Sequence, residues 1–295
     1  MATIAQIRSE PATANSRTGS VAMIVLRRMG FAFSVVLLAL VALMVIWILL
    51  FKLFDVNPLV GKTPSDVFHY LFTDDPPRRG IRPTSISAAQ ARSEVFGGLA
   101  TTLLNSAIGF VTGLLLAVVL AASFVLFKPL EFAFMPIAML LRSVPLVAMA
   151  PVLLMMFSGK AGIAAIGAIV VLFPALVNIV LGLRSASPQS LDVVRVYGGN
   201  ERMALLKVRI PSALPNLFAA IRISVPGAIV GAMLAEWLSG VEGLGGLLNR
   251  YGVSNKGGVW AVVVVSVVTS IVLYAVATVV ESAVLAKWGP NAGKG

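Results

Sequence analysis

Six apolar runs, beginning near residues 30, 99, 132, 162, 216 and 259, dominate the chain. Several reach the roughly 20 residues that a helix needs to cross a hydrocarbon core of about 30 Å. Lipid offers the backbone no hydrogen-bond partner, so only helices or closed barrels span it. The short alternating segments of an outer-membrane barrel are absent, which leaves helices. The chain is 58% hydrophobic and 12% charged, with a mean hydropathy of +0.96, whereas a soluble domain carries about a quarter charged residues. The fold class is all-α integral membrane.

With no cysteine, disulfides, iron–sulfur clusters and thiolate metal sites are excluded. The formal charge of +11 is scattered over loops, where it reads as charge beside anionic headgroups and not as a nucleic-acid surface. His69 stands alone with no cysteine near it, so no metal is expected. No G-x-x-x-x-G-K-[ST] phosphate loop is present, nor a Ser/His/Asp constellation. The chain is not expected to be an enzyme or to hold a cofactor, and energy for any transport must come from a partner or an ion gradient.

Residues 1–25 are polar and small and are expected to be disordered. Arg27 and Arg28 precede a first span within 26–54, too long for a signal-peptide core. Residues 55–97 form a polar segment. There Thr63-Pro64-Ser65-Asp66 is a helix start, followed by an apolar face of Val67, Phe68, Tyr70 and Leu71 expected to lie on the membrane surface. Asp75 to Gly80 is a turn-rich break. Five more spans fill 98–286, at about Leu99–Leu126, Phe132–Phe157, Gly162–Leu183, Asn216–Leu238 and Val259–Leu285. A Gly-rich segment, 239–258, separates the last two, and 287–295 is a short tail. Six spans place both termini on one side, and the distribution of Lys and Arg favours the cytoplasm. No internal repeat is visible, which disfavours carrier folds built from repeats.

Pro136, Pro145 and Pro151 lie in the third span, Pro174 in the fourth and Pro226 in the fifth. Lipid cannot satisfy the backbone groups that proline frees, so these helices should face protein or a wet path. Pro145, Pro151, Pro174 and Pro226 are read as gating kinks. Gly109/Gly113 and Gly227/Gly231 permit close helix approach, either within one subunit or between two. Arg142 and Glu236 are charges within spans and so are candidate path residues, with Asn105 and Asn178 as further candidates. Ser106, Met155 and Met156 are also plausible on a path wall. Glu236, near the end of its span, has the alternative of simply reaching water.

One loop between spans, 184–215, is too patterned for a passive linker. A helix-forming stretch leads to Gly198-Gly199, a second carries Glu201, Arg202, Lys207 and Arg209, and Pro211 and Pro215 close it. Such a basic helix–turn–helix suggests a docking surface for a soluble partner.

Asp192-Val193-Val194, with Gly198 six residues after Asp192 and then Val208-x-Ile210-Pro211, resembles the EAA loop of permeases in binding-protein-dependent ABC importers. The spacing, the Gly and the Pro match, while Asp replaces Glu and Val-Val replaces Ala-Ala. Leu141-Arg142-Ser143-Val144-Pro145, continuing to Pro151 and Phe157, resembles the third span of the branch serving nitrate, sulfonates, taurine and thiamine-precursor pyrimidines. Ala235-Glu236-Trp237 with Gly243-Leu244-Gly245, and Thr63-Pro64-Ser65, resemble other segments of that branch.

The resemblance implies a six-helix type I importer transmembrane domain in the cytoplasmic (inner) membrane. It also implies two cytoplasmic ATPase subunits that hold ATP and Mg, a second permease copy expected to be identical, and an extracytoplasmic solute-binding protein. The loop would be a coupling helix built on Asp192, Arg195, Gly198, Gly199, Asn200, Glu201, Arg202, Lys207 and Pro211. The glycines would make its turn, and Pro211 would end its second helical piece. Glu201, Arg202 and Lys207 would offer ion pairs to the ATPase. The competing class is a secondary carrier with Glu236 as its proton-coupled carboxylate, and a third is a structural subunit that transports nothing.

Overall fold

A helix buried in lipid satisfies its own backbone but leaves its ends and its proline positions open. In this chain those points decide how the spans are cut and joined. A computed structural model describes residues 15–73, 87–252 and 254–288, and of residues 15–29, 31–33, 36, 142 and 287 only the backbone. The expected turn at 75–80, the segment 1–14 and the tail from 289 lie outside the described residues.

Helix α1 (Asn15–Leu53) is followed by the short α2 (Pro64–Phe72) and then by α3 (Ala88–Leu126). Next come α4 (Lys128–Ser143), α5 (Leu146–Met156) and α6 (Lys160–Arg184). Two short helices, α7 (Pro188–Val196) and α8 (Glu201–Ala204), lead through a π-helical turn, Leu205–Arg209, into α9 (Ile210–Ser239). Helix α10 (Leu244–Tyr251) and α11 (Lys256–Trp288) are the last of the described elements. Among the described residues, four helical stretches are long and apolar enough to cross a membrane: α3, α6, Glu201–Ser239 and Lys256–Ala286. The bent pair α4–α5 counts as a fifth, and the apolar stretch Leu37–Leu53 of α1 is shorter.

Three expectations change. Helix α1 starts at Asn15, inside the segment 1–25 expected to be disordered; the sequence into the apolar run holds no proline, so nothing interrupts the helical ladder. The third span is not one kinked helix. It breaks between α4 and α5, which turn through 106°. The residue before a proline is driven out of the helical region, and Val144 is accordingly extended (φ −73°, ψ 127°). Pro136 and Pro151, by contrast, stay inside helices, as do Pro174 and Pro226. Pro211 does not end a helical piece. The helix runs through it into α9 because the π-turn widens the ladder just before it, where Ile210 N–H bonds to Leu205 O. A proline ring clashes with the carbonyl four residues earlier, here that of Lys207, which lies in the widened turn.

The centre is a trio of α3, α6 and α9, whose buried face includes Ala117, Ala121, Phe124, Val171, Ala175, Leu176 and Ala220. Small residues set the distance. A Cβ on Gly109 would sit 2.9 Å from Gly167 Cα, and one on Gly113 would sit 2.5 Å from Ala168 O. A Cβ on Gly231 would lie 3.0 Å from Val170 Cγ2. Both small-residue pairs therefore serve packing within one subunit, against α6.

At one end of the bundle, α2, α10 and the starts of α3 and α11 share a second core of Val67, Leu71, Val95, Leu244, Leu247, Tyr251, Ala261 and Val262. Helix α2 begins with a capping box, in which Thr63 accepts from Asp66 N–H and Asp66 answers the Thr63 N–H. Its apolar face is docked on protein through Val67 and Leu71, while Phe68 stays exposed. The opposite end carries α7, α8 and the π-turn.

Candidate functional site

The segment between α6 and α9 folds from local signals. Ser187 caps α7 and Pro188 occupies its first turn, where a missing N–H costs nothing. The helix ends in a Schellman motif: Gly199 N–H bonds to Val194 O at 2.8 Å and Gly198 N–H to Arg195 O at 2.9 Å. Gly198 has φ +75°, a region costly for residues with a Cβ. At Gly199 the constraint is steric, because a Cβ would lie 2.5 Å from Val194 Cγ1. Asn200 caps α8, its Oδ1 accepting from Met203 N–H at 2.9 Å.

The charges of this segment form a chain. Arg195 lies 3.3 Å from Asp192 and 3.4 Å from Glu201, and Glu201 lies 3.9 Å from Arg209. Arg209 also donates to Leu183 O at the end of α6, which fastens the segment to the bundle. Arg184 pairs with Glu131 at the start of α4. Glu201 is thus engaged inside the segment. Arg202 and Lys207 are exposed and make no ion pair among the described residues. Sequence reasoning missed the apolar part of this surface: Val196 and Tyr197 stand 84% and 87% exposed, beside exposed Val193, Met203 and Leu206. The signal was the apolar pair Val196-Tyr197 immediately before the Gly-Gly turn.

The residues expected to line a path do not share one place. Asn105 and Glu236 meet in a buried cluster that also contains Thr102. Glu236 is 0% exposed, so it does not reach water from its span end. Its Oε2 accepts from Thr102 Oγ1 at 2.7 Å and from Gly245 N–H at 3.1 Å, and its Oε1 accepts from Asn105 Nδ2 at 2.8 Å. Thr102 Oγ1 in turn accepts from Leu244 N–H at 2.8 Å. Leu244 and Gly245 open α10, whose N-cap Gly243 supplies no side-chain cap. The first N–H groups of a helix lack internal partners, and here side chains of α3 and α9 supply them. A Cβ on Gly243 would come within 2.2 Å of Glu236 Cδ, so glycine alone lets the loop close over the carboxylate. The arrangement is a clamp that pins α10 across α3 and α9.

Asn178 is half-buried and bonds locally, its Nδ2 donating to Pro174 O at 2.8 Å. Ser106 is buried and donates to Leu103 O, whereas Met155 and Met156 are exposed. Arg142 lies one residue before the end of α4, at the break opened by Val144-Pro145. Among the described residues, no group of three His, Asp or Glu could hold a metal ion.

The end layer holds its own polar net. Tyr251 OH donates to Glu94 Oε2 at 2.8 Å, and Asn255 Nδ2 donates to Tyr70 OH at 2.9 Å. Burial pushes both tyrosine hydroxyls above their usual pKa, and for Tyr251 the bond to Glu94 adds to the rise.

The profile of the family described as "Binding-protein-dependent transport system inner membrane component" matches residues 94–285. The chain belongs to this family. A probable ABC transporter permease of Haemophilus influenzae is 29% identical over 181 residues, covering 61% of this chain and 71% of that protein. A formylaminopyrimidine transport permease of Halalkalibacterium halodurans is 29% identical over 161 residues, covering 54% of this chain and 64% of the relative. The fold is similar to that of a chain in the crystal structure of an amino acid ABC transporter, with a TM-score of 0.53 at 18% identity, covering 66% of this chain and 94% of that one. The matched region runs from the start of α3 to near the end of α11 and contains both the α7–α8 segment and the Glu236 clamp. Membership does not favour the secondary-carrier alternative, and the carboxylate that alternative needs is enclosed by three donors.

Proposed function

We propose that the chain is the membrane-spanning permease subunit of an ATP-driven importer. In this reading two copies form the pathway, and each receives a cytoplasmic ATPase subunit, which binds ATP and Mg, on its α7–α8 segment. A solute-binding protein delivers the solute to the end that carries α2 and α10. The protein lies in the cytoplasmic membrane with both termini inside. The observation that carries the reading is the α7–α8 segment: a turn fixed by Gly198 and Gly199, an internally paired charge chain, and exposed Val196 and Tyr197 beside free Arg202 and Lys207. A segment ordered by its own caps and tied to α6 through Arg209 can transmit force, which a loose loop cannot. Exposed aromatic and aliphatic side chains on a rigid turn are typical anchors at protein interfaces, and flanking charges tune partner choice and on-rate.

The mechanism in this reading is alternating access. ATP closes the ATPase pair and displaces the α7–α8 segment. The motion passes through the π-turn into α9, and the segments that carry Pro145, Pro174 and Pro226 rearrange around the path; hydrolysis resets them. The solute is small: nitrate, a sulfonate or taurine-like organic anion, or a pyrimidine precursor of thiamine. The last choice gains support from the formylaminopyrimidine relative. Arg142, at the α4–α5 break, is the residue of this reading that would favour an anion.

The test is purification from native membranes in mild detergent, followed by mass spectrometry of what accompanies the chain. A stoichiometric ATPase subunit is expected. A lone oligomer, without an ATPase even after crosslinking, would overturn the reading.

A further inference from the structure

Helix α9 runs from the coupling segment to the α10 clamp, and its hydrogen-bond ladder is interrupted on the way. The π-turn opens its base, and Pro215 and Pro226 each remove a donor. The N–H missing at Pro226 is the one that would bond to the carbonyl of Arg222, four residues earlier. Arg222 therefore sits at a turn of the helix that lacks a hydrogen bond, about 18 Å along it from Ile210 at 1.5 Å per residue.

The side chain of the same residue leaves α9. Its Nη1 donates to Glu281 Oε2 of α11 at 2.9 Å, and its guanidinium lies 5.7 Å from the centre of the Tyr274 ring, also on α11. Both charged side chains are largely covered, at 30% and 15% exposure. Charges at such depth are costly and persist where they do something. A planar guanidinium held by a carboxylate and an aromatic face is fixed in direction as well as in distance. Leu, Val or Ala would pack α9 on α11 without this cost.

We infer that Arg222 and Glu281 form a pivot that fastens the proline-weakened turn of α9 to α11, so that the two helices move as one body when the coupling segment is displaced. The inference rests on the importer reading for its driving force. It assigns Arg222 and Glu281 as positioning residues and not as contacts to the solute. Without the tie, displacement at the base of α9 would be absorbed as bending at Pro226. With it, the motion reaches α11, which packs on α1, α2 and α10.

The chain has no cysteine, so paired spin labels can be placed without background. Labels at the exposed Val230 of α9 and Val272 of α11 would be measured in the permease purified with its ATPase. The measurement is made without nucleotide and after trapping with MgATP and vanadate. A single narrow distance, unchanged on trapping, is expected in the parent. Arg222→Gln and Glu281→Gln should lose the narrow distribution and shift on trapping, while MgATP hydrolysis continues. The swap R222E/E281R should restore the parent distribution. Arg222→Lys, which keeps the charge, gives the same rescue test if the swap does not fold. Narrow distributions in both neutral variants, a shift in the parent on trapping, or a folded swap that restores nothing would each overturn the pivot. The nucleotide-free distribution reads the tie alone, so absence of an ATPase from the preparation would count against the importer reading and not against the pivot.

Discussion

Replacing Glu236 separates a clamp from a carrier carboxylate. Glu236→Ala removes the acceptor of three buried donors: Thr102 Oγ1, Asn105 Nδ2 and Gly245 N–H. The Thr102 hydroxyl can rotate to another acceptor, but the other two donors are left without one. Each buried donor without a partner costs about 1–3 kcal/mol, or about 2–6 kcal/mol for the two. Part is offset because the parent buries a carboxylate whose three partners here are all uncharged, at an effective cost of several kcal/mol. The net loss should be smaller than that sum, about 1–3 kcal/mol.

Glu236→Gln keeps the shape. Its carbonyl oxygen can take the position that accepts from Thr102 and Gly245. Its amide nitrogen then faces Asn105, whose own amide can flip to offer its oxygen. Stability should stay within about 1 kcal/mol of the parent, the value of one hydrogen bond. The assay is the denaturation midpoint in detergent, hydrogen exchange at residues 243–247, and uptake by cells. The alanine variant should lose stability and protection at the start of α10, and the glutamine variant should keep both together with transport. A glutamine variant that is fully stable yet cannot transport would refute the clamp, because only the titratable charge would then have been removed.

Gly198→Trp should abolish coupled uptake while the protein still folds, since the space at Gly198 is open and the cost is confined to its positive φ; normal uptake by this variant would count against the docking surface. Gly199→Val should instead disorder the turn itself by collision with Val194, seen as faster proteolysis between α7 and α8. Gly113→Leu should separate α3 from α6, because even a Cβ meets Ala168 O at 2.5 Å, and should abolish accumulation of folded protein; normal accumulation would show that the α3–α6 contact is dispensable. Tyr70 and Tyr251 have raised hydroxyl pKa values in the fold, so their contribution is complete below the unfolded value of about 10 and fades as pH rises beyond it. Thermal stability should therefore owe no pH dependence to these tyrosines between pH 7 and 9.5. Tyr251→Phe should lower it evenly across that range by about 1 kcal/mol through loss of the bond to Glu94.

Much of the architecture was legible because membrane helices obey one-dimensional rules. Apolar length located the spans, Thr63-Pro64-Ser65-Asp66 announced α2, and Gly198-Gly199 marked the turn. The third span misled because hydropathy measures length and not direction. Pro136, Pro145 and Pro151 look alike in the sequence, but only Pro145 follows a residue that leaves the helix. Pro211 misled for the opposite reason, since a π-turn gives its ring room. The site was legible where it is local, in the caps and the charge pattern of 187–209. It was not legible where it depends on residues far apart in the chain. Thr102 carried no signal, and Asn105 and Glu236 were candidates without a known relation to each other.

The sequence by itself determined that this chain is a bundle of membrane helices with a locally structured segment between two of them, because lipid forces the backbone to close on itself and local caps fix a turn wherever it stands. Only the tertiary structure decided what the buried charges do. Glu236 and Arg222 are both charges within apolar runs. One caps a helix begun eight residues later in the chain, and the other reaches a carboxylate 59 residues away. A charge in lipid announces that it must have partners, but its position in the chain does not say which helix will bring them.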